Sequence, residues 1–352
     1  MPRLQSPSGP NATLPRRSVL AAAAGLALSA CSEPMLRTAS TTPPLDGEAL
    51  NSAMQAFATR ASPGILGLGL TNLESGEHWT LNGDRRFPMQ SVFKLALGAA
   101  ALAEVDARRL TLDRPFVLEE EQLSPQHSPI SDVWPTRRDY TARELLVAAV
   151  SDSDNTAADV LMKHIGGPGA VTAWLQGRKI NEVRVDRYER ELQPEVYGMA
   201  SFRSAWRSQA GFAAARATVP PTQRMAAMRA YMADPRDTAT PRNMLDFLTL
   251  LNASELISPA STRLLLQILT DTPRGADRLK AGFPIGTAFA HKIGTSGTDQ
   301  GLNTAFNDVG IFTLPDKRSY AVALFMSGST LDENARPALF ADIGRTLARS
   351  VG

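Results

Sequence analysis

Ser91 and Lys94 stand three residues apart at the head of an almost unbroken apolar run, Leu95 to Ala103. A serine hydroxyl titrates too high to attack anything at neutral pH, so it needs a neighbouring base. On a helix, residues three apart share a face. A lysine in an apolar surround has its charged form disfavoured, which makes it a proton acceptor. The start of such a helix also aims free backbone N–H groups at the serine. Ser153-Asp154-Asn155 brings together a hydroxyl and an amide able to relay a proton and hold a substrate amide, and it reads equally as a polar loop or helix cap. In His291-Lys292-Ile293-Gly294-Thr295-Ser296-Gly297, Gly294 admits a ligand backbone and Lys292 supplies a fixed positive charge. The alternative there is an edge strand protected by lysine. Arg187 to Gln193 is a charged run that by itself reads as a solvated face.

The elements that must position these groups follow from periodicity. Residues 46–61, with Asp46 as cap and Leu50, Met54 and Phe57 on one side, predict an amphipathic helix. Ile65 to Thr71 and Glu77 to Leu81 read as strands joined by the turn Asn72 to Gly76. Residues 95 to about 269 are mostly helical in pattern, with loops at Pro125–Pro135 and Gly166–Gly169. Strand signals return at Thr287–Ile293, Asp308–Thr313 and Tyr320–Met326, and residues 332–350 close the chain as a helix. Strands from both chain ends around a helical middle predict an α+β fold: one antiparallel sheet flanked by helices, in an α/β/α sandwich, plus an inserted all-helical subdomain over about 88–270. A cleft between the two parts is the natural place for a site.

The 352 residues carry a formal charge of only +2, which points to no nucleic-acid partner, and four scattered histidines make no metal cluster. The one cysteine, Cys31, excludes an internal disulfide. Arg16-Arg17 precede a short apolar run ending at Leu28-Ser29-Ala30-Cys31, a secretory signal too short for a stable span. Its end resembles the bacterial lipobox, with Cys31 as the lipidation site, and the arginine pair partly resembles a twin-arginine signal. The expectation is a signal over 1–30, a tether over 31–45 and a catalytic domain over 46–350. Export would remove Arg3, Arg16 and Arg17 and no acid, taking the charge from +2 to −1.

In this order, Ser91-Val92-Phe93-Lys94, Ser153-Asp154-Asn155 and Lys292-Ile293-Gly294 resemble the Ser-x-x-Lys, Ser-Asp-Asn and Lys-Thr-Gly motifs of the class A β-lactamases and their penicillin-binding relatives. The flanks Phe87-Pro88-Met89, Arg143-Glu144-Leu145, Gly294-Thr295-Ser296-Gly297 and Asn307-Asp308-Val309-Gly310 look like the family too. The resemblance implies a β-lactam substrate and no metal or organic cofactor; from the N-terminal signal the expectation is a periplasmic monomer that meets the membrane only through a lipid on Cys31. Ser91 would form the acyl-enzyme, with the N–H groups of Ser91 and Thr295 as oxyanion hole. Lys94 would assist the proton transfers, Ser153 would protonate the departing nitrogen, Asn155 would hold the acyl amide and Lys292 would attract the carboxylate. Glu189, in Arg187-Tyr188-Glu189-Arg190-Glu191-Leu192, matches the glutamate that activates the hydrolytic water, and Gln193 replaces the asparagine that helps hold it. Glu191 is taken as structural. His127 falls where the family often has an aromatic residue at the cleft mouth.

Two departures stand out. Ile293 replaces a hydroxyl-bearing residue, and Arg278 matches a position where some members place a compensating arginine. Residues 194–233 read as additional to the family's compact loop, with five arginines against Glu195 and one or two short helices around Pro220-Pro221. An inserted surface lobe is expected there, a cover over the cleft being the alternative. Asp237 would pair with Arg187. The other functions compatible with the motifs are a penicillin-binding DD-peptidase or transpeptidase, and a lipid-anchored protein that binds β-lactams or wall peptides without turnover.

Overall fold

The computed structural model describes residues 44–351. The signal, Cys31 and all of the tether but Pro44 and Leu45 lie outside the described residues. Helix α1 (Gly47–Ala61) starts where the Asp46 carboxylate accepts the Ala49 N–H at 2.9 Å, satisfying one of the first-turn donors. Strands β1 (Ile65–Asn72) and β2 (His78–Leu81) form the first hairpin. The last third of the chain supplies β3 (Ala288–Thr295), β4 (Phe306–Thr313) and β5 (Ser319–Ser327). All pairings are antiparallel, in the order β2-β1-β5-β4-β3. The two ends of the chain therefore meet in the middle of the sheet.

Every residue of β1 after Ile65 is buried, because both faces of the sheet are covered. Leu66, Leu68 and Leu70 point to the outer layer, where they pack with Leu50 and Met54 of α1 and with Leu339, Phe340, Ile343 and Leu347 of the final helix. The alternate residues are glycines for a steric reason. A Cβ at Gly67 would overlap the Phe87 ring, and one at Gly69 would overlap Leu245. The helical region thus sits directly on the backbone of β1. Its axis is α2 (Phe93–Asp106), buried on all sides from Phe93 to Leu102, as an apolar sequence without a polar stripe requires. Around it pack α3 (Asn155–His164) and the residues of α7 (Pro241–Asn252) and α8 (Pro259–Thr270) that face the same core.

The helical region also holds two short ribbons that periodicity does not reveal, Phe87–Pro88 with Thr238–Ala239 and Pro115–Val117 with Asp139–Thr141. Pairs two and three residues long carry too little alternation to read from sequence.

Residues 189–233 form α4 (Glu189–Val196), α5 (Gln209–Ala217) and α6 (Pro221–Ala233), the last two flanking Pro220 as expected. They enclose a small core of Leu192, Val196, Tyr197, Phe212, Met228 and Tyr231, closed by Leu302 of the sheet side. Arg224 pairs with Asp299 at 2.6 Å and Gln300 donates to the Pro221 carbonyl at 2.7 Å. Arg207 pairs with Glu120, and Arg216 lies over the Tyr197 ring. The segment is therefore built into the body beside the cleft, and its arginines are largely engaged within the protein.

Candidate active site

The position of Ser91 is set from below. Residues Gln90–Val92 form a single 3-10 turn that runs into α2. Asn307 of β4 donates its amide to the carbonyls of Pro88 and Met89 at 2.9 and 3.0 Å. Beside it, a Cβ at Gly294 would overlap the Met89 carbonyl oxygen. The close approach that Gly294 permits is thus to the chain's own backbone, and this corrects the expectation that the glycine makes room for a ligand. Gln90 is held at φ +47°, a left-handed conformation costing a non-glycine residue about 1–2 kcal/mol. The Ser91 N–H lies in the first turn, where helical N–H groups have no partner within the helix.

Lys94 is fully buried, and its ammonium is ringed by acceptors. Nζ lies 3.2 Å from Ser91 Oγ, 2.8 Å from the Ser153 carbonyl and 3.0 Å from Glu189 Oε1, with Asn155 Oδ1 also in contact. The surround is polar at the tip, not apolar as the run Leu95–Ala103 implies, because the neighbours that matter are 59 to 95 residues away in sequence.

Ser153 follows a π-turn, Ala148–Asp152, and sits at φ 64°. Asp154 caps α3 by accepting from Ala157 N at 2.8 Å, and it also binds Ile130 N and Ser128 Oγ. Burial raises its carboxyl above the usual range, against the pull of those hydrogen bonds. So the cap reading of the motif is true of Asp154, while Ser153 and Asn155 turn to the cleft. Asn155 Nδ2 is tied to the Pro125 carbonyl at 2.9 Å, which fixes the amide's direction.

Glu189 begins α4, fully buried against Lys94. Its other oxygen accepts from Gln193 Nε2 at 2.7 Å, one helical turn on. The head of α4 is clamped by Asp159 of α3, whose carboxyl accepts from Glu189 N at 2.7 Å, Arg190 N at 3.1 Å and Ser124 Oγ at 2.6 Å. Burial, with Glu189 nearby, pushes Asp159 up to about 7 in spite of these donors. Glu191 turns back to the Tyr188 N–H at 3.0 Å, the structural role expected of it. Arg187 meets Asp237 at 2.6 Å, as the sequence predicts, and Glu195 at 2.8 Å. Asp159 was not singled out from sequence. Its one signal is the i, i+4 spacing from Asn155 on the same buried helix face.

The opposite wall is β3. Lys292 is buried and donates to Ser153 Oγ at 2.9 Å and to the Ile293 carbonyl at 3.1 Å. Burial and the cations Lys94, Arg274 and Arg278 drive it well below the ordinary lysine range, with only Glu189 opposing. Ile293 and Thr295 line the cleft. Arg278 does not. Its guanidinium is buried behind β3, donating to the Asn307 carbonyl at 2.7 Å and to Thr295 Oγ1, with the Phe306 ring 3.7 Å away. The expectation that Arg278 meets substrate directly fails because those donors are already engaged with β3 and β4. The arginine that lines the cleft is Arg274, which sequence reasoning missed because its loop, Asp271 to Asp277, has no distinguishing pattern.

Arg274 reaches His127 across the mouth. His127 Nε2 lies 2.9 Å from Arg274 Nη1 and 2.7 Å from the Asp152 carbonyl, and one nitrogen cannot accept from the first and donate to the second at once. Burial, then the cations Arg274, Lys94 and Lys292, pull His127 below the ordinary histidine range, against its bond to the Asp152 carbonyl. Gln126, also missed, donates to Gln193 Oε1 at 3.0 Å. Of the sequence-predicted residues, Ser91, Lys94, Ser153, Asn155, Glu189, Gln193, His127, Lys292 and Thr295 come together. Gly294 and Arg278 stand behind them.

Comparison with known proteins agrees with this geometry. The family described as the β-lactamase enzyme family matches residues 49–351. Among curated proteins, β-lactamase VEB-1 of Pseudomonas aeruginosa is 28% identical over 287 residues, covering 81% of this chain and 85% of that protein. The extended-spectrum β-lactamase PER-1 of the same organism is 29% identical over 289 residues, covering 82% of each. Among solved structures, a β-lactamase from Chitinophaga pinensis is 30% identical with a TM-score of 0.71, over 86% of this chain and 99% of that one. An ancestral class A β-lactamase is 31% identical with a TM-score of 0.70 over the same shares.

Proposed function

The chain belongs to the β-lactamase enzyme family, of the class A serine type, and we infer from that premise that it opens β-lactam rings through an acyl-enzyme on Ser91. The observation that carries the reading is the buried cluster in which Lys94 touches both Ser91, at 3.2 Å, and Glu189, at 3.0 Å. Ser91 Oγ attacks the lactam carbonyl carbon and its proton passes to the Lys94–Glu189 pair. Charge developing on the carbonyl oxygen is met by the N–H groups of Ser91 and Thr295. The C–N bond breaks as Ser153 gives its hydroxyl proton to the ring nitrogen; the Lys292 ammonium, 2.9 Å from that oxygen, restores it, and the proton taken from Ser91 replaces the one Lys292 gave, which frees Glu189. Water then attacks the ester, with Glu189 taking its proton and Gln193 holding the carboxylate in place. Arg274 supplies the charge that draws the substrate carboxylate, in place of the hydroxyl lost at Ile293. A burying contact between Glu189 and Lys94 supports hydrolysis over the slow release expected of a DD-peptidase.

The protein is further read as exported to the periplasm and held at the membrane by a lipid on Cys31, a reading supported by the basic residues, short apolar run and Leu-Ser-Ala-Cys of its N-terminus. Residues 194–233 are read as an addition to the class A loop.

A nitrocefin time course tests the central reading. Wild-type protein turns over, whereas Glu189→Gln gives one stoichiometric burst and stalls as acyl-enzyme. Bursts in both would make the protein a penicillin-binding one.

A further inference from the structure

We propose that Tyr231, on α6 of the 194–233 segment, is a positioning residue for the deacylation pair Glu189–Gln193, acting through Gln90; this rests on the reading of Glu189 as the group that activates water. Tyr231 is buried, and Gln90 Nε2 donates to its hydroxyl at 2.8 Å. Gln90 Oε1 accepts from Gln193 Nε2 at 3.1 Å, and the same Gln193 amide donates to Glu189 Oε2 at 2.7 Å. The chain of contacts runs from the hydroxyl of one segment to the carboxylate of another without a gap.

Its direction is forced. Gln193 Oε1 is occupied by the Gln126 amide at 3.0 Å, so Gln193 must present its NH2 to Glu189 and to Gln90. Gln90 must then offer oxygen to Gln193 and nitrogen to Tyr231, whose hydroxyl has a lone pair free to receive it. Glutamine at 90 has no rotational freedom left. Its backbone is held left-handed at φ +47°, and its amide is fastened at both ends. The far end of the chain is equally firm. Tyr231 packs in the core with Leu192, Val196 and Met228, and α6 is braced by the Arg224–Asp299 pair at 2.6 Å. Three residues after Tyr231, Asp234 lies 3.4 Å from Arg187, which precedes Glu189 by two. The helix therefore grips α4 on both sides of Glu189.

Removing the hydroxyl leaves a buried Gln90 N–H without an acceptor and lets the amide swing, so Gln193 loses one of its three partners. The group most affected is the carboxylate that works in deacylation, while Lys94 and Ser91 keep all their contacts. The test is transient kinetics on nitrocefin that resolves acylation from deacylation. Tyr231→Phe slows deacylation about three- to tenfold, as loss of one buried hydrogen bond predicts, and changes acylation less than about twofold. Gln90→Met, which cuts the same chain at its middle, gives the same split and carries the test should Tyr231→Phe fold poorly. In a Glu189→Gln background, Tyr231→Phe adds nothing, because the step it supports is already lost. Equal slowing of both steps, or no change in either while the wild type turns over, overturns the positioning role alone. A wild type that acylates and never deacylates overturns the reading of Glu189 and this inference with it.

Discussion

Lys94, on the helical wall of the cleft, and Lys292, on the sheet wall, are both buried and lie on either side of one residue. Ser153 receives Lys94 at its carbonyl and Lys292 at its hydroxyl. Lys94 faces a carboxylate and three further oxygens, whereas Lys292 faces one hydroxyl, one carbonyl and the field of three cations. A buried charge is tolerated when paired and is driven off when it is not. The two walls thus hold their lysines differently, one paired with a carboxylate beside Ser91 and one among neutral acceptors and neighbouring cations beside the Ser153 hydroxyl.

Substitution at Lys94 should show the greater effect. Lys94→Ala leaves Glu189 buried without its partner. The expected outcome is a loss of turnover of about a thousandfold together with a loss of about 3–5 kcal/mol in unfolding free energy, read by nitrocefin hydrolysis and urea unfolding. Lys292→Met should lower turnover about a hundredfold, yet raise stability by about 1 kcal/mol, because an apolar chain of similar length replaces a poorly paired amine. A stability loss at Lys292 matching that at Lys94 would erase the contrast.

The third effect is smaller and concerns binding. Arg274→Ala raises KM for carboxylate-bearing substrates about tenfold with kcat within about twofold, the pattern of lost uniform binding. Arg278→Ala instead lowers the melting temperature, since it frees the Asn307 carbonyl and Thr295 Oγ1 at once. If Arg278→Ala raised KM as much as Arg274→Ala at unchanged stability, the placement of the two arginines in binding and support would be reversed.

What could be read from the chain was local. The alternating Leu and Gly of β1, the apolar run Leu95–Ala103 of α2 and the three short motifs each lie within a dozen residues, so their periods and spacings survive in sequence. Even the Arg187–Asp237 pair was legible, because the motif at each end marks its place. The environments of Lys94 and Lys292 were not, since the groups that decide them come from distant segments. Nor was Tyr231, 141 residues from the glutamine it binds, in a helix made mostly of alanines, methionines and arginines.

Gly294 narrows the routes by which this cleft can change. Any side chain there would drive the Met89 carbonyl, and Ser91 with it, off the sheet. Inheritable variation in what the enzyme accepts is consequently channelled to the positions that line the cleft without supporting it. Ile293, one residue away on the same strand, and Arg274 across from it are two such positions. A lineage under selection for new substrates can explore those two sites while the seat of Ser91 stays fixed.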